Sequence, residues 1–285
     1  MLGLVKFIFA VVAGAVLAII IGAIFAVVSV DYTLVGLVSI GVFIITIVII
    51  MNIDFSGMRK VPMVSEARQR YLLFGGLLMS VNNESNKAFK IVRSSPKEAR
   101  VTLAGWWGIE SHAEAIYVAM HLSLGNIHTD FADDIYNNLI KKGISDPTPE
   151  DLAKLKLEHA QQVGRIKLGL LTYDTAKKQL IRIGYTEAEL AQITTLAAWD
   201  YGRTAFVSRF SAHSKFITED EAWTFIKAAA ENAASTYDNW KQYLAAYVLG
   251  RCIAYGEFLN IGAGLFGENS VYSKTSFKAE DDGVI

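Results

Sequence analysis

The sequence predicts an all-α protein in which an N-terminal two-helix transmembrane hairpin precedes a cytoplasmic multi-helix domain. Three observations favour this fold class. Two long apolar runs without charged side chains lie within the first fifty-odd residues. Helix start signals recur after residue 100. No segment shows the strict apolar–polar alternation that is typical of a half-buried strand.

The first element is the hairpin, which we assign to residues 1–55. Residues 7–30 carry no charge, and at ~1.5 Å per residue they form a helix of about 36 Å, enough for a hydrocarbon core of ~30 Å. A second uncharged run covers residues 33–53. The link between the runs is so short that the two helices must be antiparallel neighbours. A cleavable signal peptide is disfavoured, because its apolar core is only ~7–15 residues long.

Flanking charges predict the orientation of the hairpin. Lys6 precedes the first run, Arg59 and Lys60 follow the second, and the bend carries only Asp31. The positive-inside rule therefore places both termini in the cytoplasm. We expect a multi-pass protein of the bacterial inner membrane, with the lipid bilayer as one partner.

Small residues recur at every fourth position of the first run. They are Ala10, Gly14, Ala18, Gly22 and Ala26. Such a stripe lets another helix backbone approach closely. The stripe could pack against the second helix of the hairpin, or it could serve a homo-oligomer or a partner protein.

The rest of the chain divides into a juxtamembrane connecting region (56–100), a helical domain (101–260) and a flexible C-terminal tail (261–285). In the helical domain, a hydroxyl residue three positions before an acidic one predicts a helix start. The predicted starts are Ser111 with Glu114, Thr148 with Asp151, Thr186 with Glu189, and Thr218 with Glu221.

Composition and motifs exclude several functions. The net charge of −1 gives no indication of a nucleic-acid partner. The single Cys252 excludes an internal disulfide and a CxxC site. Because no metal, nucleotide or hydrolase motif is present, we expect no metal, cofactor or catalytic residue. The acidic stretch from His128 to Asp134 is interpreted as an exposed helix start rather than as a metal site.

Aromatic and charged residues in the C-terminal half form the candidate cluster. Its members are Trp199, Asp200, Arg203, Trp223, Trp240, Tyr247 and Arg251. Asp200 and Arg203 are three apart and can pair on one helix face. Arg251 could meet them across two packed helices. Such a cluster could be a structural ion-pair network or a ligand pocket.

Several of these motifs, in this order, resemble a bacterial family of domains of unknown function, number 1266. They are Trp199–Asp200 followed by Arg203, Glu221–Ala222–Trp223, Tyr237 with Trp240, and Gly250–Arg251. Trp106–Trp107 before a capped helix is similar to the start of the family. The resemblance covers about residues 100–255 and implies an α-helical fold. The family often ends G-R-x-x-W, whereas this chain has Tyr255.

The leading functional hypothesis is a membrane-anchored, non-enzymatic protein-binding module, such as an immunity or defence component in bacterial conflict. One alternative is a membrane-perturbing toxin or effector that acts through its hairpin. The other is an enzyme or ligand sensor that uses Asp200, Arg203 and Arg251. The sequence favours the first hypothesis because it shows an anchor and no catalytic set.

Overall fold

A computed structural model describes residues 11, 15, 40, 42–44, 61–257 and 270–278. The chain forms two compact units, Met1–Lys60 and Val61–Ile285. All regular secondary structure in the described residues is helical, which confirms the all-α class. Within those residues, no helix combines the length and the hydropathy needed to cross a bilayer. The predicted spans and the small-residue stripe lie almost entirely outside the described residues, so the hairpin remains a prediction.

Thirteen α-helices are described in the second unit. They are α1 Glu66–Leu73, α2 Gly76–Val81, α3 Pro96–Trp107, α4 His112–Ser123, α5 Thr129–Asn138, α6 Pro149–Leu152, α7 Leu157–Ala160, α8 Val163–Arg182, α9 Glu187–Ala191, α10 Ala198–His213, α11 Glu219–Thr236, α12 Trp240–Tyr255 and α13 Val271–Lys274. A 3-10 helix, Ile140–Lys142, follows α5.

Side-chain caps begin many of these helices. Thr148, Thr186 and Thr218 form reciprocal capping boxes with the acidic residue three positions later. Ser111 accepts a hydrogen bond from the Glu114 N–H. The four predicted helix starts are therefore confirmed. Each cap satisfies backbone donors that the first helical turn would otherwise leave unpaired.

Helix α10 forms the centre of the unit, because every residue from Ala198 to Ala212 is buried. Its N-terminal half packs into one hydrophobic cluster with α5, α8 and α12. Its C-terminal half packs into a second cluster with α3, α4 and α11. In a helix buried on all sides, most polar side chains find their hydrogen-bond partners within the protein. The polar residues of α10 therefore dominate the candidate site.

Residues before and after the predicted helical domain belong to the same core. Leu72, from the predicted connecting region, is fully buried in the second cluster, which also contains Leu103 of α3. In the predicted flexible tail, Tyr272 and Phe277 are buried against Trp240, and the Trp240 indole N–H donates to the Thr275 carbonyl at 2.8 Å. The described part of that segment, 270–278, is thus docked rather than free.

Candidate functional site

The Asp200 carboxylate is fully buried at the start of α10. Its Oδ2 atom accepts three backbone N–H groups, from Ile127 (3.0 Å), His128 (2.9 Å) and Thr129 (3.1 Å). The Thr129 hydroxyl donates to the same oxygen at 2.9 Å. Asp200 thus supplies the negative charge at the N-terminus of α5, where free N–H groups and the helix dipole favour an anion.

The Arg203 guanidinium pairs with the other oxygen of Asp200. Its Nη2 donates to Asp200 Oδ1 and to His128 Nδ1, the latter at 2.7 Å. Its Nε donates to the Trp199 carbonyl at 3.1 Å and its Nη1 to the Tyr255 hydroxyl at 3.3 Å. Four of the five N–H groups of a guanidinium are therefore engaged inside the protein.

Aromatic rings surround this guanidinium. Arg203 Cζ lies 4.3 Å from the Trp199 ring centroid and 5.1 Å from that of Trp107. The Tyr255 ring centroid lies at 5.9 Å. Such cation–π contacts stabilise a desolvated cation. Burial would raise the pKa of Asp200, but the charge of Arg203 and the hydrogen bond from the His128 backbone N–H hold it well below its ordinary value.

His128 completes the network in its neutral form. An arginine has only donors, so Nδ1 of His128 must accept the bond from Arg203 and carries no proton. The proton then lies on Nε2, which is 3.1 Å from the Tyr255 hydroxyl. Burial lowers the pKa of His128; Asp200 opposes this effect and Arg203 adds to it.

Arg251 does not join Asp200 and Arg203, contrary to the prediction. Its Nη2 donates to Glu257 at 2.6 Å, and its guanidinium contacts the same Trp199 ring that Arg203 contacts, at 5.3 Å. Helical spacing places Arg251 on the predicted face of α12, but near its C-terminal end. The two cations therefore share an aromatic ring and not a carboxylate.

The other candidate residues lie in separate places. Tyr247 contacts Trp199 edge-to-face at 5.0 Å and so belongs with the network. Trp223 packs on Phe89 in the second hydrophobic cluster. Trp240 packs on the C-terminal segment in the first. The aromatic residues of the candidate cluster are therefore divided between the two hydrophobic clusters.

Comparison with known proteins identifies the family. A family model described as "Protein of unknown function (DUF1266)" matches residues 102–261, which include Asp200, Arg203 and Arg251. This chain belongs to the DUF1266 family. The resemblance suggested by the sequence motifs is thereby confirmed, and the Asp200–Arg203 network lies inside the region that defines the DUF1266 match.

Two relatives from Escherichia coli (strain K12) are similar over a short stretch. "Uncharacterized protein YbeR" is 36% identical over 56 residues, which is 20% of this chain and 24% of the relative. "Uncharacterized protein YbeU" is 38% identical over 56 residues, with the same coverage. The chain thus spans about a quarter of the length of each. No solved structure matches the chain significantly.

The acidic start of α5 is only partly exposed. Asp133 is partly buried and accepts bonds from the Thr195 hydroxyl and from the Leu196 N–H at 2.7 Å, and desolvation raises its pKa. Asp134 accepts from the backbone N–H of Lys156 at 2.9 Å. These two carboxylates hold neighbouring loops in place. The prediction of an exposed acidic helix start is therefore wrong for Asp133.

A group of potential metal ligands lies near the N-terminus of α5 in this DUF1266 member. Ligand atoms of Asp130, Glu158 and His159 lie within 4.8 Å of one another. His159 Nδ1 is 2.7 Å from Asp134 Oδ2, and Asp130 is paired with Lys156. Ion pairs and hydrogen bonds therefore account for the contacts in this group. They do not require a metal.

Sequence reasoning missed His128 and Tyr255 as members of the network. His128 immediately precedes a helix, and its side chain contacts residues more than seventy positions away. Tyr255 lies one position beyond the place of the tryptophan in the G-R-x-x-W pattern, which is Ala254 in this chain, and this departure was the available signal. Its hydroxyl bonds to both Arg203 and His128, which an indole could not do as an acceptor.

Proposed function

We propose that this protein is a non-enzymatic, protein-binding module anchored in the bacterial inner membrane. The hairpin predicted for residues 1–55 is the anchor, and the helical unit binds a partner protein in the cytoplasm. The observation that carries the proposal is an exposed aromatic and apolar face on α4, formed by Tyr117, Met120 and Leu124, which we call the α4 face.

The α4 face has the composition of a binding surface. Tyr117, Met120 and Leu124 are 59%, 39% and 50% exposed, and their spacing of three and four places them on one side of the helix. Trp106, at the end of the preceding helix, is 66% exposed. Tyrosine, tryptophan and methionine are enriched in protein interfaces, where tryptophan and tyrosine dominate the binding energy.

The polar network supports a binding role over an enzymatic one. Asp200 and Arg203 are buried, and their hydrogen bonds go to backbone groups and side chains of the same unit. Groups held in this way fix the positions of helices. A catalytic residue must instead reach a substrate.

The partner we favour is a toxin whose action the protein prevents. An anchored immunity protein would meet a toxin that acts at the membrane or enters the cytoplasm. This part of the proposal rests on the predicted topology and on the absence of a catalytic motif in the sequence. A gene neighbour that is toxic only when this protein is missing would identify the partner.

A photo-crosslinking experiment tests the binding surface. We expect benzoylphenylalanine at position 117 of the full chain to crosslink to the neutralised toxin in cells. The same probe at Leu171, which is 65% exposed on α8, is the matched control and should not crosslink. Trp106→Ser with Tyr117→Ser should weaken protection, whereas Leu171→Ser should not. Full protection by the double variant would refute the assignment of this face.

A ligand sensor is the second candidate, and one observation favours it. Trp199 Nε1, Tyr247 Oη and Arg251 Nε are buried without a hydrogen-bond partner in the described part of the chain. These donors lie around one indole ring. If Arg251→Met kept the melting temperature but abolished protection against the toxin, the result would favour a ligand sensor over a protein-binding module. Unchanged function would exclude it.

A further inference from the structure

A groove of about 1040 Å³ lies beside the C-terminal half of α10. One wall comes from Pro62 to Arg68, at the start of the folded unit, and another from Phe89 to Ile91. The end of α10 and the start of α11, from Arg209 to Glu221, form most of the rest, together with His112 at the start of α4. The residues of the α4 face and those of the network around Asp200 do not line this groove.

Arg209 is the buried cation of this groove. It is fully buried, with Nε donating to the Phe89 carbonyl at 2.8 Å and Nη1 to the Ser85 carbonyl at 2.9 Å. Its Nη2 has no hydrogen-bond partner among the described residues. Burial lowers the pKa of Arg209 to about 10, which Glu84 opposes. Glu84 Oε2 is also without a hydrogen-bond partner among the described residues.

Three exposed cations line the groove above Arg209, namely Arg68, Lys90 and Lys215. Within the described residues, none of the three forms an ion pair, and Arg68 lies over the Trp223 ring at 4.7 Å. The acids at the rim are already engaged. Glu221 accepts the Thr218 N–H at 2.7 Å, and Glu219 accepts from the Trp223 indole at 3.2 Å. With Arg209, four cations and two carboxylates line the groove, so its lining carries a net positive charge.

Much of the remaining lining is apolar, although Ser65, His112, His213 and Thr218 also contribute to it. Met63, Phe89, Ile91, Phe216 and Ile217 contribute to it, and Met63 is 70% exposed. Exposed apolar surface next to unpaired cations matches a ligand that is both anionic and apolar. An inorganic anion would leave the apolar wall in contact with water, at an unfavourable free energy.

We propose that this groove binds an anionic phospholipid, with its phosphate head group on the cations and its glycerol–acyl region on the apolar wall. The proposal rests on the proposed membrane anchorage. The predicted second span ends at residue 53, and the first lining residue is Pro62, so the wall belongs to the segment that leaves the bilayer. Basic residues in such segments attract anionic lipids.

Native mass spectrometry of the full chain, released from neutral detergent micelles, tests this proposal. The probes are phosphatidylglycerol and phosphatidylcholine. Each cation near an anionic lipid contributes roughly a fivefold preference, so Arg68→Gln with Lys215→Asn should reduce the preference for phosphatidylglycerol about 25-fold. Asparagine suits position 215 because Lys215 has a left-handed φ of 65°. The control is Lys97→Gln with Arg182→Gln, which removes two exposed cations outside the groove.

The outcomes separate the possible occupants. Equal binding of the two lipids by the unmodified chain, or an unchanged preference in the groove variant, would overturn the proposal. Inorganic phosphate that binds as tightly as phosphatidylglycerol would show that the apolar wall plays no part. Flotation of the chain with phosphatidylcholine vesicles tests the anchor alone. Failure to float would refute the proposed anchorage. The lipid preference measured in micelles tests the lipid-binding groove separately.

Discussion

Replacing Asp200 with asparagine tests whether the buried network holds the unit together. The substitution keeps the shape of the side chain and removes its charge. An amide has only one acceptor oxygen, so it can accept hydrogen bonds either from the N-terminus of α5 or from Arg203, but not from both. On the other side, its NH₂ group would face N–H donors without forming a hydrogen bond. Breaking a buried ion pair from one side costs about 3–5 kcal/mol, and Asp200 is fully buried.

We therefore expect Asp200→Asn to lower the free energy of unfolding by about 3–5 kcal/mol, a large part of the ~5–15 kcal/mol typical of a domain. Urea unfolding of the full chain in neutral detergent, followed by circular dichroism, measures the change from the transition midpoint at constant slope. The control is Asp174→Asn. Asp174 is exposed and pairs with Lys178 at 2.6 Å, and such surface pairs contribute less than about 1 kcal/mol.

A loss below about 1 kcal/mol for Asp200→Asn would refute the reasoning, because a buried pair broken from one side costs more than a surface pair. The double variant Asp200→Asn with Arg203→Met provides a second test. It removes both charges, so it should be less destabilised than the sum of the single variants, with a coupling of about 0.5–3 kcal/mol. Additive losses would show that the two side chains act independently.

Two further predictions concern α10 and its neighbours. A Cβ atom on Gly202 would lie 2.4 Å from the Tyr247 ring, whereas one on Gly105 would meet nothing within 4 Å. In urea unfolding, Gly202→Ala should therefore lower the free energy of unfolding by about 1–3 kcal/mol, and Gly105→Ala in α3 should raise it by about 0.5–1 kcal/mol. Equal effects of the two substitutions would contradict this packing. The pKa of His128 is lowered on folding, so the unfolded chain binds the proton more readily and stability should rise with pH between that lowered pKa and about 6.5. When the free energy of unfolding is measured from pH 5 to 8, the His128→Asn variant should lack this part of the rise with pH. Identical pH dependence in the variant and the unmodified chain would exclude His128 as its source.

Local signals account for the parts of the fold that could be predicted. The caps at Ser111, Thr148, Thr186 and Thr218 depend on residues three positions apart, so the sequence alone reveals them. The pairing of Asp200 with Arg203 is equally local. Such interactions do not depend on knowing which helices pack together.

Long-range contacts account for the parts that could not be predicted. The helix periodicity of α12 gives the face on which Arg251 lies, but not its position relative to Asp200. The contact of His128 with Arg203 joins residues 75 positions apart, and no local pattern indicates it. The polar composition of 261–285 predicts a flexible tail. It gives no indication that Tyr272 and Phe277 are buried, because their burial depends on a hydrophobic surface formed by other helices.

The docking of the C-terminal segment has a consequence for synthesis on the ribosome. The Tyr272 hydroxyl donates to the Leu73 carbonyl, a contact across 199 positions, and Tyr243 donates to the Phe74 carbonyl across 169. The region around Leu73 and Phe74 therefore cannot complete its packing until Tyr243 and Tyr272 have been synthesised. Contacts of this separation slow folding and leave apolar surface uncovered in the meantime. A nascent chain that is truncated or stalled before residue 270 should therefore be a substrate for chaperones and proteases.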